Sequence, residues 1–137
     1  MMTQRLLPQL KAAATPEDPS RVIMIGSIAG FASPSGDAFS YSASKAGVHM
    51  VGRHLANVVH NDNITVNCIA PGPFESKMMA FILDDPKARA RVESLVPLGR
   101  IGSPEDVAGT AIFLASRAGA YLTGAVIPVD GGMSNHG

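Results

Sequence analysis

Arg21-Val22-Ile23-Met24-Ile25-Gly26-Ser27 holds four consecutive apolar residues between a charged residue and a glycine. An apolar run without alternation suits a strand covered on both faces, as in a parallel sheet. Downstream, residues 26–40 read as a loop, with glycines at 26, 30 and 36 and a proline at 34. Residues 41–60 follow as a helix, and Val48, Val51, Leu55 and Val58 recur at three- and four-residue steps. That stripe is expected to be buried. Asn61-Asp62-Asn63 ends the helix, residues 64–70 form a second strand-like run, and Pro71-Gly72-Pro73 breaks it. Upstream, Leu6, Leu7 and Leu10 fall at helical spacing within residues 3–14. Pro8 either kinks that helix or starts it. Residues 15–20, with two prolines and two acids, read as a loop.

Toward the carboxyl end, residues 77–95 carry a helical pattern interrupted by Asp84-Asp85-Pro86, which predicts two short helices. Ser103-Pro104-Glu105-Asp106 marks a helix start, with Ser as N-cap, Pro at the first helical position and acids in the first turn. Val107, Ala111, Leu114 and Ala115 supply its apolar face. Residues 118–123 connect it to a third strand over 125–129, which Asp130-Gly131-Gly132 ends. Strands alternating with helices predict an α/β layered fold with a parallel sheet. Three strands are few, since such sheets usually hold about five or six. The chain therefore reads as part of a larger doubly wound sheet.

The 137 residues suffice for one domain. Hydrophobic residues make up 46% and charged residues only 16%, so much of the chain expects burial. Eleven basic and eleven acidic residues cancel. That balance excludes a general electrostatic grip on nucleic acid or on an anionic membrane surface. The single cysteine, Cys68, excludes an internal disulfide framework and a cysteine-based zinc site. No apolar run reaches the roughly 18 residues of a membrane span. The first residues lack the apolar core of a signal peptide, so a cytoplasmic setting is the default expectation.

The chemistry concentrates near the strand ends. Tyr41 and Lys45 stand four residues apart at the head of a helix, which puts both side chains on one face. An ammonium beside a phenol favours the phenolate. At about 4 Å and an effective dielectric near 20 the attraction is roughly 4 kcal/mol, or up to about three pKa units. A phenol starting near 10 would then approach the range where general acid–base catalysis works best. Ser27 follows the first strand and Pro71-Gly72 the second. In open α/β sheets ligands bind at that carboxyl edge.

These residues carry a family resemblance. Gly26-Ser27, Tyr41-Ser42-Ala43-Ser44-Lys45 and Asn67-Cys68-Ile69-Ala70-Pro71-Gly72 resemble, in order and spacing, the short-chain dehydrogenase/reductase family. So do Pro97-Leu98-Gly99-Arg100, Pro104-Glu105-Asp106-Val107-Ala108, Leu122-Thr123-Gly124 and Val129-Asp130-Gly131-Gly132. The resemblance spans nearly the whole chain and is strongest to 3-oxoacyl-acyl-carrier-protein reductase-like members. It implies the carboxyl-terminal half of a doubly wound Rossmann-type sheet, three strands with flanking helices. It also implies hydride transfer between NAD or NADP and a small-molecule carbonyl or secondary alcohol. Tyr41 would exchange the proton with the substrate oxygen, and Ser27 would orient that oxygen. Lys45 would lower the Tyr41 pKa and hold the nicotinamide ribose. Pro71, Gly72, Phe74 and Ser76 would border the nicotinamide, with Ser76 standing where the family usually has threonine. Residues 77–95 would form the substrate lid, and the complete enzyme would be a homodimer or homotetramer.

The pattern is partial. No G-x-x-x-G-x-G or G-x-G-x-x-G follows a first strand, and no Asn-Asn-Ala-Gly segment is present. Residues 1–137 therefore read as a partial Rossmann-type domain without the glycine-rich half that holds the cofactor pyrophosphate. The alternative is a truncated, non-catalytic remnant acting as a binding or oligomerisation module. A serine hydrolase is disfavoured because Gly26-Ser27-Ile28-Ala29-Gly30 is not G-x-S-x-G. Ser27 taken alone would be a turn cap. Tyr121, without a lysine four residues on, reads as a packing residue, and Cys68 as an inert buried thiol. His49, His54 and His60 lack the spacing of paired zinc ligands, so no metal is expected. Met78-Met79 beside Phe81 would line an apolar substrate pocket.

Overall fold

The computed structural model describes residues 2–33, 37–76 and 79–135. Its element order is helix α1 (Met2–Ala13), strand β1 (Ser20–Ile25), helix α2 (Phe39–Val59), strand β2 (Ile64–Pro71), short helices α3 (Ala80–Leu83) and α4 (Pro86–Ser94), helix α5 (Pro104–Ala115) and strand β3 (Val126–Val129). The strands form one parallel sheet in the order β1-β2-β3. Ser20 pairs with Ile64 and Ile25 with Ile69, while Cys68 pairs with Val126 and Pro71 with Val129. β2 is central, and every residue from Ile64 to Ala70 is buried. That is the origin of its largely apolar composition, which only Thr65 and Asn67 interrupt.

Helices cover both faces. Ala56 and Val59 of α2 form a buried cluster with Ile64 and Val66, and Leu7, Leu10, Val22 and Met24 pack around it. α1 and α2 therefore share one face. Arg21 alternates to the other face, where its guanidinium donates to the Ser116 carbonyl at the end of α5, at 3.2 Å. Pro8 lies inside α1, which continues through it. Residues 77–95 hold two short helices, as their sequence pattern predicts, although Lys77 and Met78 lie outside the described residues, as do Pro34 and Gly36.

The buried stripe of α2 differs from the expected one. Val51 and Val58 are exposed, and Val48 and Leu55 are half-buried. The helix turns His49, Gly52, Ala56 and Val59 to the interior instead. Both stripes have the same spacing, offset by one residue. Small residues decide between them: a Cβ on Gly52 would stand only 3.3 Å from the Met24 sulfur. Counting large apolar residues selects the wrong stripe where a helix lies this close to a sheet. Tyr121 also departs from expectation, since it is fully exposed rather than packed.

Candidate active site

The carboxyl ends of β1 and β2 bring the candidate residues to one edge. The Gly26 amide continues the β1–β2 ladder by donating to Ile69 O at 2.8 Å, so Gly26-Ser27 leaves the sheet beside Ala70-Pro71. Ser27 is buried and extended, and it caps a 3-10 turn over Ile28–Gly30: its hydroxyl oxygen accepts the Ala29 amide at 3.2 Å. The capping role that its position suggests in isolation is thus real. The hydroxyl proton and a lone pair remain for a ligand.

The turn packs against α2. Tyr41 and Lys45 share a face of its first turns, with the lysine Nζ 5.6 Å from the centroid of the Tyr41 ring. The same Nζ donates to the carbonyl of Ile25, the last residue of β1, at 3.3 Å. An ammonium carries three donors, so this bond ties the cation to the sheet edge and leaves donors free. Ser44 secures the first turn by donating its hydroxyl to Tyr41 O at 2.7 Å.

Pro71 and Gly72 close the β2 side. The Gly72 amide donates to Val129 O at 2.9 Å, and a Cβ on Gly72 would stand 2.7 Å from Asp130 Cβ. Asp130 in turn accepts the Gly132 and Ser134 amides at 3.0 and 2.8 Å, which hold its carboxyl below the usual range against burial. Glycine at 72 is therefore required by its packing against the end of β3. Phe74 bridges to Gly102, and its ring occupies the space that a Cβ on Gly102 would need. Ser76 is exposed.

A cavity of about 480 Å³ lies on the β3 side of this turn, lined by Phe74, Leu98, Arg100, Asp106 and Asp130 among others. None of Ser27, Tyr41 and Lys45 lines it. This cavity and the candidate chemistry are therefore separate places. Its polar groups are mutually satisfied: Arg100 grips Asp106 with two bonds of 2.7 and 3.0 Å, and Asp106 accepts the Ser103 amide. The guanidinium first, then that amide, hold the Asp106 carboxyl well below the usual carboxylate range. Two smaller cavities of about 430 and 410 Å³ flank the Ser27 turn, and Gly30, Phe31 and Ala46 line both.

Cys68 is buried, and burial pushes its thiol up, as an inert cysteine requires. Among the described residues no cluster of His, Cys, Asp and Glu is placed to hold a metal. Phe81 is exposed, and its expected partner Met78 lies outside the described residues. His49 is the residue that the sequence signals missed. It is buried beneath the Ser27 turn, where its Nε2 accepts the Ser27 amide at 3.4 Å. Its place four residues after Lys45, on the stripe that Tyr41 begins, was the available signal.

Residues 1–134 match the family model described as enoyl-(acyl carrier protein) reductase. The rhamnolipids biosynthesis 3-oxoacyl-[acyl-carrier-protein] reductase of Pseudomonas aeruginosa is 48% identical over 129 residues, covering 94% of this chain and 50% of that protein. The 3beta-hydroxysteroid dehydrogenase 1 of Eggerthella lenta is 48% identical over 94 residues, covering 69% and 36%. Among solved structures, the Pseudomonas aeruginosa RhlG/NADP active-site complex superposes with a TM-score of 0.92 at 47% identity, covering 96% of this chain and 52% of that one. The chain thus spans about half the length of the relatives it matches. With the family model matched along almost its whole length, the chain belongs to the short-chain dehydrogenase/reductase family.

Proposed function

We propose that this chain carries the proton-transfer site of an NAD(P)-dependent oxidoreductase acting on a small carbonyl or secondary alcohol. The observation that carries this reading is the placement of Lys45 Nζ, bonded to Ile25 O beside Ser27 and lying by the Tyr41 ring. The ammonium thereby links the phenol ring to the end of the strand that leads to Ser27. Ser27 donates its hydroxyl proton to the substrate oxygen and fixes its direction. Tyr41 O–H gives a proton to that oxygen in reduction and receives one in oxidation. Lys45 places a positive charge beside the Tyr41 ring, and its remaining donors suit the hydroxyls of a ribose.

The residues fit a nicotinamide cofactor at one end only. The Lys45 donors and the Pro71-Gly72 edge suit the nicotinamide riboside, and Phe74 and Ser76 follow on the same segment. When bound, the nicotinamide supplies or takes up the hydride. Several solved relatives carry NADP, among them RhlG of Pseudomonas aeruginosa and the gluconate 5-dehydrogenase of Burkholderia cenocepacia J2315. The pyrophosphate would need a glycine-rich turn at a helix N-terminus, which the family resemblance assigns to a preceding half. We further propose a soluble cytoplasmic enzyme that works as a homodimer or homotetramer.

A chimera tests the reading: the amino-terminal half of the Pseudomonas aeruginosa 3-oxoacyl reductase joined to this chain. It should oxidise NADH or NADPH in the presence of a carbonyl substrate. Tyr41→Phe in that chimera should lower turnover at least about 10²-fold, the usual minimum for general acid–base catalysis, and leave cofactor affinity intact. Near-native turnover of the variant would overturn the assignment.

A further inference from the structure

We propose that His49 is a positioning residue for Ser27: its Nε2 accepts the Ser27 amide, and the turn carrying the serine loses that anchor when the imidazole takes up a proton. The inference rests on the reading of Ser27 as the hydroxyl that meets substrate oxygen, but its geometry stands apart from that reading.

Three observations lead to it. The Ser27 amide has left the β ladder and finds its acceptor in His49 Nε2 at 3.4 Å. The backbone on either side of Ser27 is shaped around the ring. A Cβ on Gly26 would stand 2.2 Å from His49 Nε2, and one on Gly30 would stand 2.5 Å from Cε1. Phe31 completes the enclosure, with ring centroids 5.6 Å apart. His49 is 5% exposed. The imidazole thus sits inside the turn as a template for its path, two glycines admit it, and one nitrogen receives the amide of Ser27.

Only the neutral ring can perform this task, because a protonated imidazole has two donors and no acceptor. The accepting Nε2 must be bare, so the proton of the neutral ring resides on Nδ1. The surroundings favour that form. Lys45 and Arg53 of the same helix are cations, the packed turn from Gly26 to Phe31 brings no titratable group, and β2 brings only the neutral thiol of Cys68 near Gly26. Burial, then Arg53, then Lys45 hold the imidazole below its ordinary value. Tyr41, Lys45 and His49 stand at four-residue steps on α2. One stripe of the helix therefore carries the proton donor, its cation and the anchor of the second hydroxyl.

The test is nuclear magnetic resonance on the 137-residue chain, labelled with ¹⁵N, as a function of pH. The native chain should show His49 as the Nδ1–H tautomer, and the Ser27 amide resonance should shift with the His49 titration. In His49→Gln, whose side-chain oxygen can replace Nε2, the Ser27 amide should keep its neutral-pH position and lose its pH dependence. In His49→Leu it should exchange with solvent about tenfold faster than native, equivalent to about 1.4 kcal/mol. A purely packing role would make Leu the better substitute and Gln the worse, so the order of the two variants discriminates. A Ser27 amide that stays fixed through the His49 titration, or native exchange in His49→Leu, overturns the proposal. Should His49→Leu fail to fold, the native titration and His49→Gln still decide. None of these measurements uses turnover. Full activity of Ser27→Ala in the chimera would remove the catalytic reading of Ser27 alone.

Discussion

Gly26→Ala is a small change with a large expected cost. The new methyl carbon would stand 2.2 Å from His49 Nε2, 2.6 Å from Cδ2 and 2.8 Å from Cys68 Sγ. Gly26 is not among the glycines with positive φ. Alanine therefore meets no backbone penalty, and by stiffening the unfolded chain it would gain about 0.4–1 kcal/mol. The cost is all packing. Relieving the overlap means pushing a buried ring outward by roughly 1 Å, and overpacking of this kind costs about 1–3 kcal/mol. The displaced ring also releases the Ser27 amide, and a buried donor left unpaired costs about 1–3 kcal/mol more. The net expectation is a loss of about 1–5 kcal/mol, a large share of the 5–15 kcal/mol that holds an ordinary domain. Urea unfolding of the two chains, compared at equal m, measures it. Adding His49→Ala in a double-mutant cycle should recover at least about 1 kcal/mol, because the second change makes room for the first. A Gly26→Ala chain within about 0.5 kcal/mol of native stability, the range of an ordinary surface substitution, would refute the account of the turn as built around the imidazole.

Three further expectations concern the same chain. Asn67, buried in β2, donates to Leu122 O at 2.7 Å and accepts the Ala125 amide at 3.1 Å. Asn67→Ala strands both partners and should cost about 2–4 kcal/mol, with hydrogen exchange rising first at residues 122–125. His49 is held below its ordinary imidazole pKa of about 6.5. The unfolded chain then binds the proton more readily, so the His49 share of stability is complete above about pH 6.5 and is lost as pH falls through the lower folded value. Thermal melts between pH 7 and 5 should show this decline, and His49→Gln should flatten it. Finally, the chain alone should bind NADH and NADPH weakly: losing half the contacts of a micromolar ligand, about 4 of 8 kcal/mol, leaves millimolar affinity. Calorimetry giving micromolar binding would contradict that.

The elements that the sequence discloses are those with strong local signals. β1 shows through the apolar run over residues 22–25 and β2 through a largely apolar segment, both covered by helices, and α5 shows through Ser103, Pro104 and its acidic first turn. The four-residue step from Tyr41 to Lys45 and the serine at the strand end locate the candidate chemistry. What escapes is whatever depends on distance rather than composition. Gly52 and Ala56 look weak beside Val51 and Val58, yet they are the residues that let α2 approach the sheet. Gly26 and Gly30 look like ordinary loop glycines until the His49 ring is placed between them. Ser76 and Phe74 sit in a segment whose register against Gly102 has no local signature.

The central position of β2 has a kinetic consequence. Both of its neighbours arrive in parallel, so neither pairing can begin with a hairpin. The contact between Asn67 and Ala125 spans 58 residues, and closing a loop of that size costs on the order of 3.6 kcal/mol before any reward. Arg21 and Ser116, which span 95 residues, close later still. A fold with such high contact order is expected to refold in milliseconds to seconds rather than microseconds. Through that interval β2 would present two bare hydrogen-bonding edges on a largely apolar ribbon, the state in which chains capture one another. Refolding yield should therefore fall with protein concentration much more steeply than native stability does.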